Sequence, residues 1–282
     1  MSGFATLNGV NKELGAGWAT VNGVWRKLGK GFVTQNGVWK ACYSSGIALS
    51  DLPTGSLVSL NVNNVATNFI VVHHGLPSTD YDSSCNGTWL LMQDCADADA
   101  DGNTDSVQFS STSNNNSYKV SALHSYLNSD FLNSLESSIQ SLIKTVKIPY
   151  VNGKGGSTVA SGADGLETKI FALSSYEVGL ASDITGNAQQ LGSVLSYFDG
   201  ADNTKRLAYY TYNAYTGKAA WWLRTPSGDS DSPNQSLVIN STGGLGLSGV
   251  TVTRYARPAM IMPLNLIVNP TPNADGSYTL LV

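Results

Sequence analysis

The sequence predicts an α+β protein: a small all-β module over residues 1–45, then a larger domain over residues 46–282 with two short helices among many short strands. Three observations carry this. Asn8-Gly9-Val10 returns as Asn22-Gly23-Val24 and as Asn36-Gly37-Val38, a spacing of 14 residues. Beyond residue 45, short apolar and β-branched runs alternate with Gly, Asn and Ser. Helical spacing of apolar residues is confined to one stretch, Ser121 to Val146, so no βαβ alternation is present.

Within the repeat, Phe4, Trp18 and Phe32 align, as do Thr6, Thr20 and Thr34, and Lys12, Arg26 and Lys40. Asn-Gly between β-favouring residues marks a hairpin, because both positions tolerate the positive φ of a type I′ turn. Each copy is therefore a hairpin, with Gly15-Ala16-Gly17 and Gly29-Lys30-Gly31 as joints. Three in tandem predict a six-stranded meander. A lone hairpin is marginal in water, so such a unit gains stability by stacking on other copies or on a larger assembly. The module reads as an attachment or oligomerisation element.

In the body, "NFIVVHHG" (68–75) and "TWLLMQD" (88–94) read as buried strands. Leu123 and Leu127 make one short helical face, and Leu135, Ile139, Leu142 and Ile143 a second. Asp130 is expected near the start of the second piece, where a carboxylate suits free N–H groups; Pro149 lies beyond its end. Strands follow in "KIFALS" (169–174), "AAWWLRTP" (219–226), "SLVINS" (236–241) and "GVTVTRYARPAMIMP" (249–263). Trp221 and Trp222 point oppositely on a strand, which puts at least one in the core. The WWLR and RPA segments read as scaffold.

Only 13% of residues are charged and the net charge is -4, without the basic stripe of a nucleic-acid binder. No apolar run reaches bilayer-spanning length, and "MSGFATLNG" lacks the basic head and apolar stretch of a signal peptide. Cys42, Cys85 and Cys95 are too few for a disulfide scaffold. They read as small partly buried thiols, with a Cys85–Cys95 bridge as the alternative. Catalysis finds little support: His73, His74 and His124 are the available imidazole bases, and no G-x-S-x-G elbow occurs. The expectation is a protein that is not an enzyme.

"DCADADADGNTDS" (94–106) resembles the first half of a calcium loop. Asp97, Asp99 and Asp101 fall at alternate positions, Gly102 follows, and Asp105 stands at the ninth. The twelfth position holds Gln108 where a bidentate Glu belongs. The candidate ligands for calcium are Asp97, Asp99, Asp101 and Asp105, and the alternative is a solvated acidic loop.

"YYTYNAYTG" (209–217) packs four tyrosines into nine residues, and "SGDSDSPNQS" (227–236) and "NSTGGLGLSG" (240–249) are rich in Ser, Asp, Asn and Gly. Binding loops favour this mixture: Tyr gives large amphipathic contact area at small entropy cost, and Ser, Asn and Gly adapt their hydrogen bonding.

"GSLVSLNVNN…NFIVVHHGLPSTDYDSSCNGTWLLMQD", "ALHSYLNSDFLNSLESSIQSLIKTVKIPY", "KIFALSSYEVG", "LSYFDG", "WWLRTP" and "ARPAMIMP" occur in this order. Together, over about residues 52–268, they resemble a domain family of long-unassigned function found in Firmicutes and their phages. That family is related to C-type-lectin-like and formylglycine-generating-enzyme-like folds. The oxidase chemistry of the latter uses cysteines late in the fold, and this chain has none after Cys95. The opening repeat is similar to N-terminal repeats of phage structural proteins. The resemblance implies a C-type-lectin-like domain on a virion, as a tail or head fibre protein. It places the ligand-facing surface at Tyr209, Tyr210, Tyr212, Asn213, Tyr215, Asp229, Ser230, Asp231, Asn234 and Asn240. The implied partners are a bacterial surface glycan or protein, other virion proteins and further copies of the chain, as a trimer, with no nucleic acid and no membrane insertion. Some related lectin-like proteins are the variable products of diversity-generating retroelements. The alternative is a virion decoration protein without a specific ligand.

Overall fold

The structure is a computed structural model; it describes residues 46–151, 158–180, 190–228 and 233–281 and, before residue 46, the backbone of six strands. Those six form the three expected hairpins: Gly3–Leu7 with Val10–Leu14, Trp18–Val21 with Val24–Lys27, and Phe32–Gln35 with Val38–Ala41. Leu7 partners Val10, Val21 partners Val24 and Gln35 partners Val38, so each connection is the two-residue Asn-Gly pair. The six-stranded meander does not form: among the described residues each hairpin is its own two-stranded sheet. An Asn-Gly turn dictates register within a copy, but the glycine joints carry no pattern that pairs one copy with the next.

The body is mixed α and β, with few helices and two larger open sheets. The larger has eight strands in the order Ile170–Phe171, Ala259–Met262, Gly87–Met92, Val65–Gly75, Leu57–Val62, Tyr278–Leu281, Ile267–Val268, Ile47–Ala48. Its neighbours are antiparallel except Tyr278–Leu281, which runs parallel to Leu57–Val62. All six residues of Gly87–Met92 are buried, because layers cover both its faces. That is why it reads as an unbroken apolar run rather than as an alternation. Leu57–Val62, with one face toward the core, alternates strictly between half-buried and buried.

The second sheet orders Ser106–Gln108, Thr253–Tyr255, Trp221–Pro226, Gln235–Ile239 and Leu245–Gly249. Trp221–Pro226 is buried throughout, so both tryptophans are core residues on opposite faces. Trp221 donates its indole N–H to the Arg206 carbonyl at 3.1 Å, and Trp222 donates to that of Val107 at 2.8 Å. One apolar cluster runs through both sheets and joins Trp89, Trp221 and Trp222.

The helical stretch begins where expected: the Ser121 hydroxyl accepts from the His124 N–H and caps Ala122–Tyr126. Asp130, however, does not start a second piece. It lies in a π-turn, Leu127–Phe131, through which the helix continues to Ser134. Asn128 Nδ2 and Ser129 Oγ donate to the His124 and Ser125 carbonyls at this point, competing with the i→i−4 ladder where the helix widens. The break comes at Leu135, which is extended and bridges to Val62, and Ser137–Leu142 then follows. Among the described residues no helix is long and apolar enough to cross a membrane.

Among the described residues three arginines are buried, Arg206, Arg224 and Arg257. Arg224 meets Glu177 end-on, Nη1 to Oε2 at 2.5 Å and Nη2 to Oε1 at 2.6 Å, and both side chains are fully buried. Arg224 also donates to the carbonyls of Pro149 and Ala172, each at 3.0 Å. Glu177 accepts further from the Tyr81 hydroxyl at 2.7 Å and the Ser174 N–H at 2.9 Å. Burial, then the Glu177 carboxylate, pushes the Tyr81 phenol well above its ordinary range. Arg257 instead donates to the carbonyls of Met92, Gln93 and Arg206 and lies over the Trp221 ring at 5.0 Å. Cys85 and Cys95 are separate, buried free thiols, not a bridge; burial pushes Cys85 up to about 12.

Removing one member of a buried ion pair leaves the other charged and desolvated. Glu177→Ala is therefore expected to cost about 3–5 kcal/mol in urea unfolding, and Glu177→Leu with Arg224→Met to recover most of that loss. A loss below about 1 kcal/mol in the single variant would show that the pair is not what holds these segments.

Candidate functional site

The tyrosine-rich segment is a hairpin, Tyr209–Tyr212 paired with Tyr215–Lys218. Its two-residue turn, Asn213 at φ 47° and Ala214 at φ 63°, has the left-handed backbone of a type I′ connection. Alternation puts Tyr210, Tyr212, Tyr215 and Gly217 on one face. Tyr210 stacks on Tyr255, with ring centroids 4.7 Å apart and planes 11° from parallel, and covers Gly217, where a Cβ would come within 2.8 Å of its ring. It anchors the ribbon. Tyr209, Tyr212 and Tyr215 are 41%, 58% and 64% exposed.

Beneath the hairpin lies the acidic loop. Tyr209 N–H donates to Asp94 Oδ1 at 3.0 Å, and Cys95 N–H to the Tyr209 carbonyl at 3.0 Å. Thr104 N–H donates to the Thr211 carbonyl at 2.7 Å, and Thr211 N–H to Thr104 Oγ1 at 2.8 Å. Asn213 N–H donates to Asn103 Oδ1 at 2.8 Å. Two segments some hundred residues apart thus form one surface, and spacing in the sequence gives no sign of it. Tyr255, Asn103 and Thr104 are the residues that the sequence reading missed.

In that loop one carboxylate oxygen from each of Asp97, Asp99 and Asp101 lies within 4.8 Å of the others. The turn uses Ala100 at φ 62° and Gly102 at φ 83°. Each carboxylate already accepts backbone N–H groups: Asp97 from Ala100 and Gly102, Asp99 from Asp101, and Asp101 from Asn103. Partial burial, the larger influence, raises the Asp97 carboxyl above its ordinary value despite those N–H bonds. Asp105 does not join the group: its Oδ2 accepts from the Ala98 N–H and the Tyr126 hydroxyl, both at 2.7 Å. Gln108 is also withdrawn, donating to the Thr251 carbonyl. Three converging oxygens are half or less of what calcium takes, so water and carbonyls would complete its shell.

Of the other candidates, only Asn234 and Asn240 fall among the described residues. Asp229, Ser230 and Asp231 lie outside the described residues. Asn234 and Asn240 flank opposite ends of Gln235–Ile239, about 20 Å apart at the rise of a strand. Asn240 is spent on its own turn, its Oδ1 accepting from Thr242 N–H and Oγ1 and from Gly244 N–H. That turn sits on the Asn203–Arg206 turn, where Arg206 Nε donates to the Gly243 carbonyl at 3.0 Å.

Each of the three histidines has hydrogen-bond or ring partners. His74 lies between Thr88 Oγ1 at 3.1 Å and the Leu52 carbonyl at 2.7 Å. His73 pairs with Ser196 Oγ at 2.8 Å and stands edge-on to Trp89; His124 packs on Tyr118 beside Thr168. Burial lowers His73 and His124 below the ordinary imidazole value, with the adjacent His74 adding to the effect at His73.

A lowered imidazole means that the unfolded chain binds more protons below about pH 6.5, so stability is present above that pH and is lost on acidification. His124→Asn is expected to flatten the fall in urea midpoint between pH 7 and 5; an unchanged slope would show that His124 is not responsible. Tyr210→Ala should lower the midpoint measurably, whereas Tyr212→Ala and Tyr215→Ala should each stay within about 0.5 kcal/mol.

No curated protein and no solved structure matches the chain. One family model does, over residues 86–264. The matched segment opens with Gly87–Met92 and closes just after Ala259–Met262, two strands paired side by side, and it contains the acidic loop, the tyrosine hairpin and the Glu177–Arg224 pair. The chain belongs to the family described as a domain of unknown function, DUF6273.

Proposed function

We propose that this protein is a binding protein rather than an enzyme, a phage-encoded adhesin whose tyrosine hairpin grips a bacterial surface ligand. The single observation that carries the reading is the display of Tyr209, Tyr212 and Tyr215 on a ribbon braced from below. Preorganised phenols supply contact area and a polar tip without the cost of ordering a mobile loop. A C-type-lectin-like body is the finer fold reading, and a mixed body of few helices and many strands is compatible with it. The N-terminal hairpins would attach the protein to the virion or to two further copies, and several weak sites on one particle would then add up to firm attachment. Calcium is the cation that the Asp97, Asp99 and Asp101 oxygens would take, stiffening the loop under the hairpin.

The test is binding of the labelled full chain to a panel of Firmicutes cells by flow cytometry, with and without EDTA. Tyr212→Ala combined with Tyr215→Ala is expected to lower cell binding at least tenfold while the chain stays folded, and EDTA to lower it as well. Undiminished binding by the double variant would overturn the assignment of the surface. A wild-type chain that binds no cells yet assembles into particles would favour a decoration protein.

A further inference from the structure

We propose that a second binding site lies in the groove between Leu57–Val62, Val65–Gly75, the helix Ser137–Leu142 and the 273–280 segment, and that it takes an amino sugar. The groove encloses about 510 Å³, and no residue of the tyrosine hairpin or of the acidic loop lines it. Ligand sites commonly span roughly 300–1,000 Å³. The proposal does not rest on the adhesin reading.

The chemistry of the walls selects the ligand. Two carboxylates, Glu136 and Asp275, line the groove, and no lysine or arginine does among the described residues. Anionic ligands are therefore disfavoured and a cation is attracted. Asn61 Nδ2 donates to Glu136 Oε1 at 2.6 Å, and Asn68 Nδ2 donates to Asp275 Oδ2 at 2.9 Å. Each pairing uses one of the amide's two N–H donors and leaves its carbonyl oxygen free to accept. Glu136 keeps its second carboxylate oxygen in the same way. The wall is thus rich in acceptors, which suits a ligand rich in donors, as hydroxyls and an ammonium group are. Leu60, Ile139 and Leu280, themselves largely buried, form the apolar floor of the groove.

Glu136 directly precedes the helix Ser137–Leu142 and reaches Asn61 across the groove. Asp275 is held by Asn68, the Ser277 hydroxyl and the Ser277 N–H, which bring its carboxyl down to about 2, so it is charged at any working pH.

The experiment is an amide and side-chain NMR titration of the full chain with a glucosamine disaccharide, beside its N-acetylated form, a glucose disaccharide and a simple diamine. Saturable shifts at the Asn61 and Asn68 side-chain amides are expected with the glucosamine disaccharide. Affinity should fall at least threefold between 20 and 300 mM NaCl, on the order expected for a screened charge contact. Glu136→Gln keeps an oxygen for Asn61 and should weaken binding about tenfold, the scale of one charge-assisted contact. If that variant unfolds, Asp275→Asn serves in its place. Tyr212→Ala with Tyr215→Ala should leave this binding unchanged, so failure here and failure of the adhesin reading are separable. Equal affinity for the N-acetylated or glucose disaccharide, equal affinity for the diamine, indifference to Glu136→Gln, or no saturable shift would each overturn the proposal.

Discussion

The contact between Glu177 and Arg224 holds the body in its arrangement. Arg224 sits in the middle of the buried strand Trp221–Pro226, and Glu177 follows the strand Ile170–Phe171 at the edge of the larger sheet. Their two hydrogen bonds, with those of Arg224 to Pro149 and Ala172, tie the second sheet to the first at a point where neither charge has water. Such a pair adds little net stability over an apolar substitute, but it tolerates no partial loss. Losing either partner would therefore disturb the contact between the two sheets. Tyr81 and the Ser174 N–H complete the carboxylate's shell, which brings two more segments into the contact.

From this joint the display surface follows. Trp221–Pro226 is the central strand of the second sheet, and the chain entering it is the outer arm of the tyrosine hairpin. Tyr255 lies on the neighbouring strand, so the ring that anchors Tyr210 is placed by the same sheet. The acidic loop joins Gly87–Met92 of the first sheet to Ser106–Gln108 of the second and bonds to the hairpin on its way. The exposed phenols are thus held by both sheets, which is how a two-stranded ribbon, marginal by itself, keeps one conformation. Arg206 and Arg257, satisfied by carbonyls in place of acids, show the same economy of charge that the composition shows.

How much of this the sequence discloses depends on the range of the interaction. The hairpins at residues 3–41 were legible because Asn-Gly governs its own turn, and the Ser121 helix start because a cap acts over three residues. The buried strand Gly87–Met92 was legible from its apolar run. The point at which the helix breaks was not: Asp130 has the chemistry of a cap, but the pairing of Leu135 with Val62 moves the break beyond it. Asp105 fitted a calcium spacing, yet a tyrosine twenty-one residues further on claims it. The union of the acidic loop with the tyrosine hairpin was beyond any pattern, being made by five hydrogen bonds across the fold. Glu177 left a faint trace, a lone acid in "FALSSYEVGL", which burial turns into a demand for a cation.

One pairing bears on how the molecule comes to exist. Tyr278–Leu281 lies between Leu57–Val62 and Ile267–Val268, and Ile47–Ala48 joins the sheet only through Ile267–Val268. During synthesis the start of the body must wait, with an open edge, while more than two hundred residues follow it from the ribosome. The larger sheet closes last at its beginning, so the repeats ahead of it are made before the domain that follows them has finished folding.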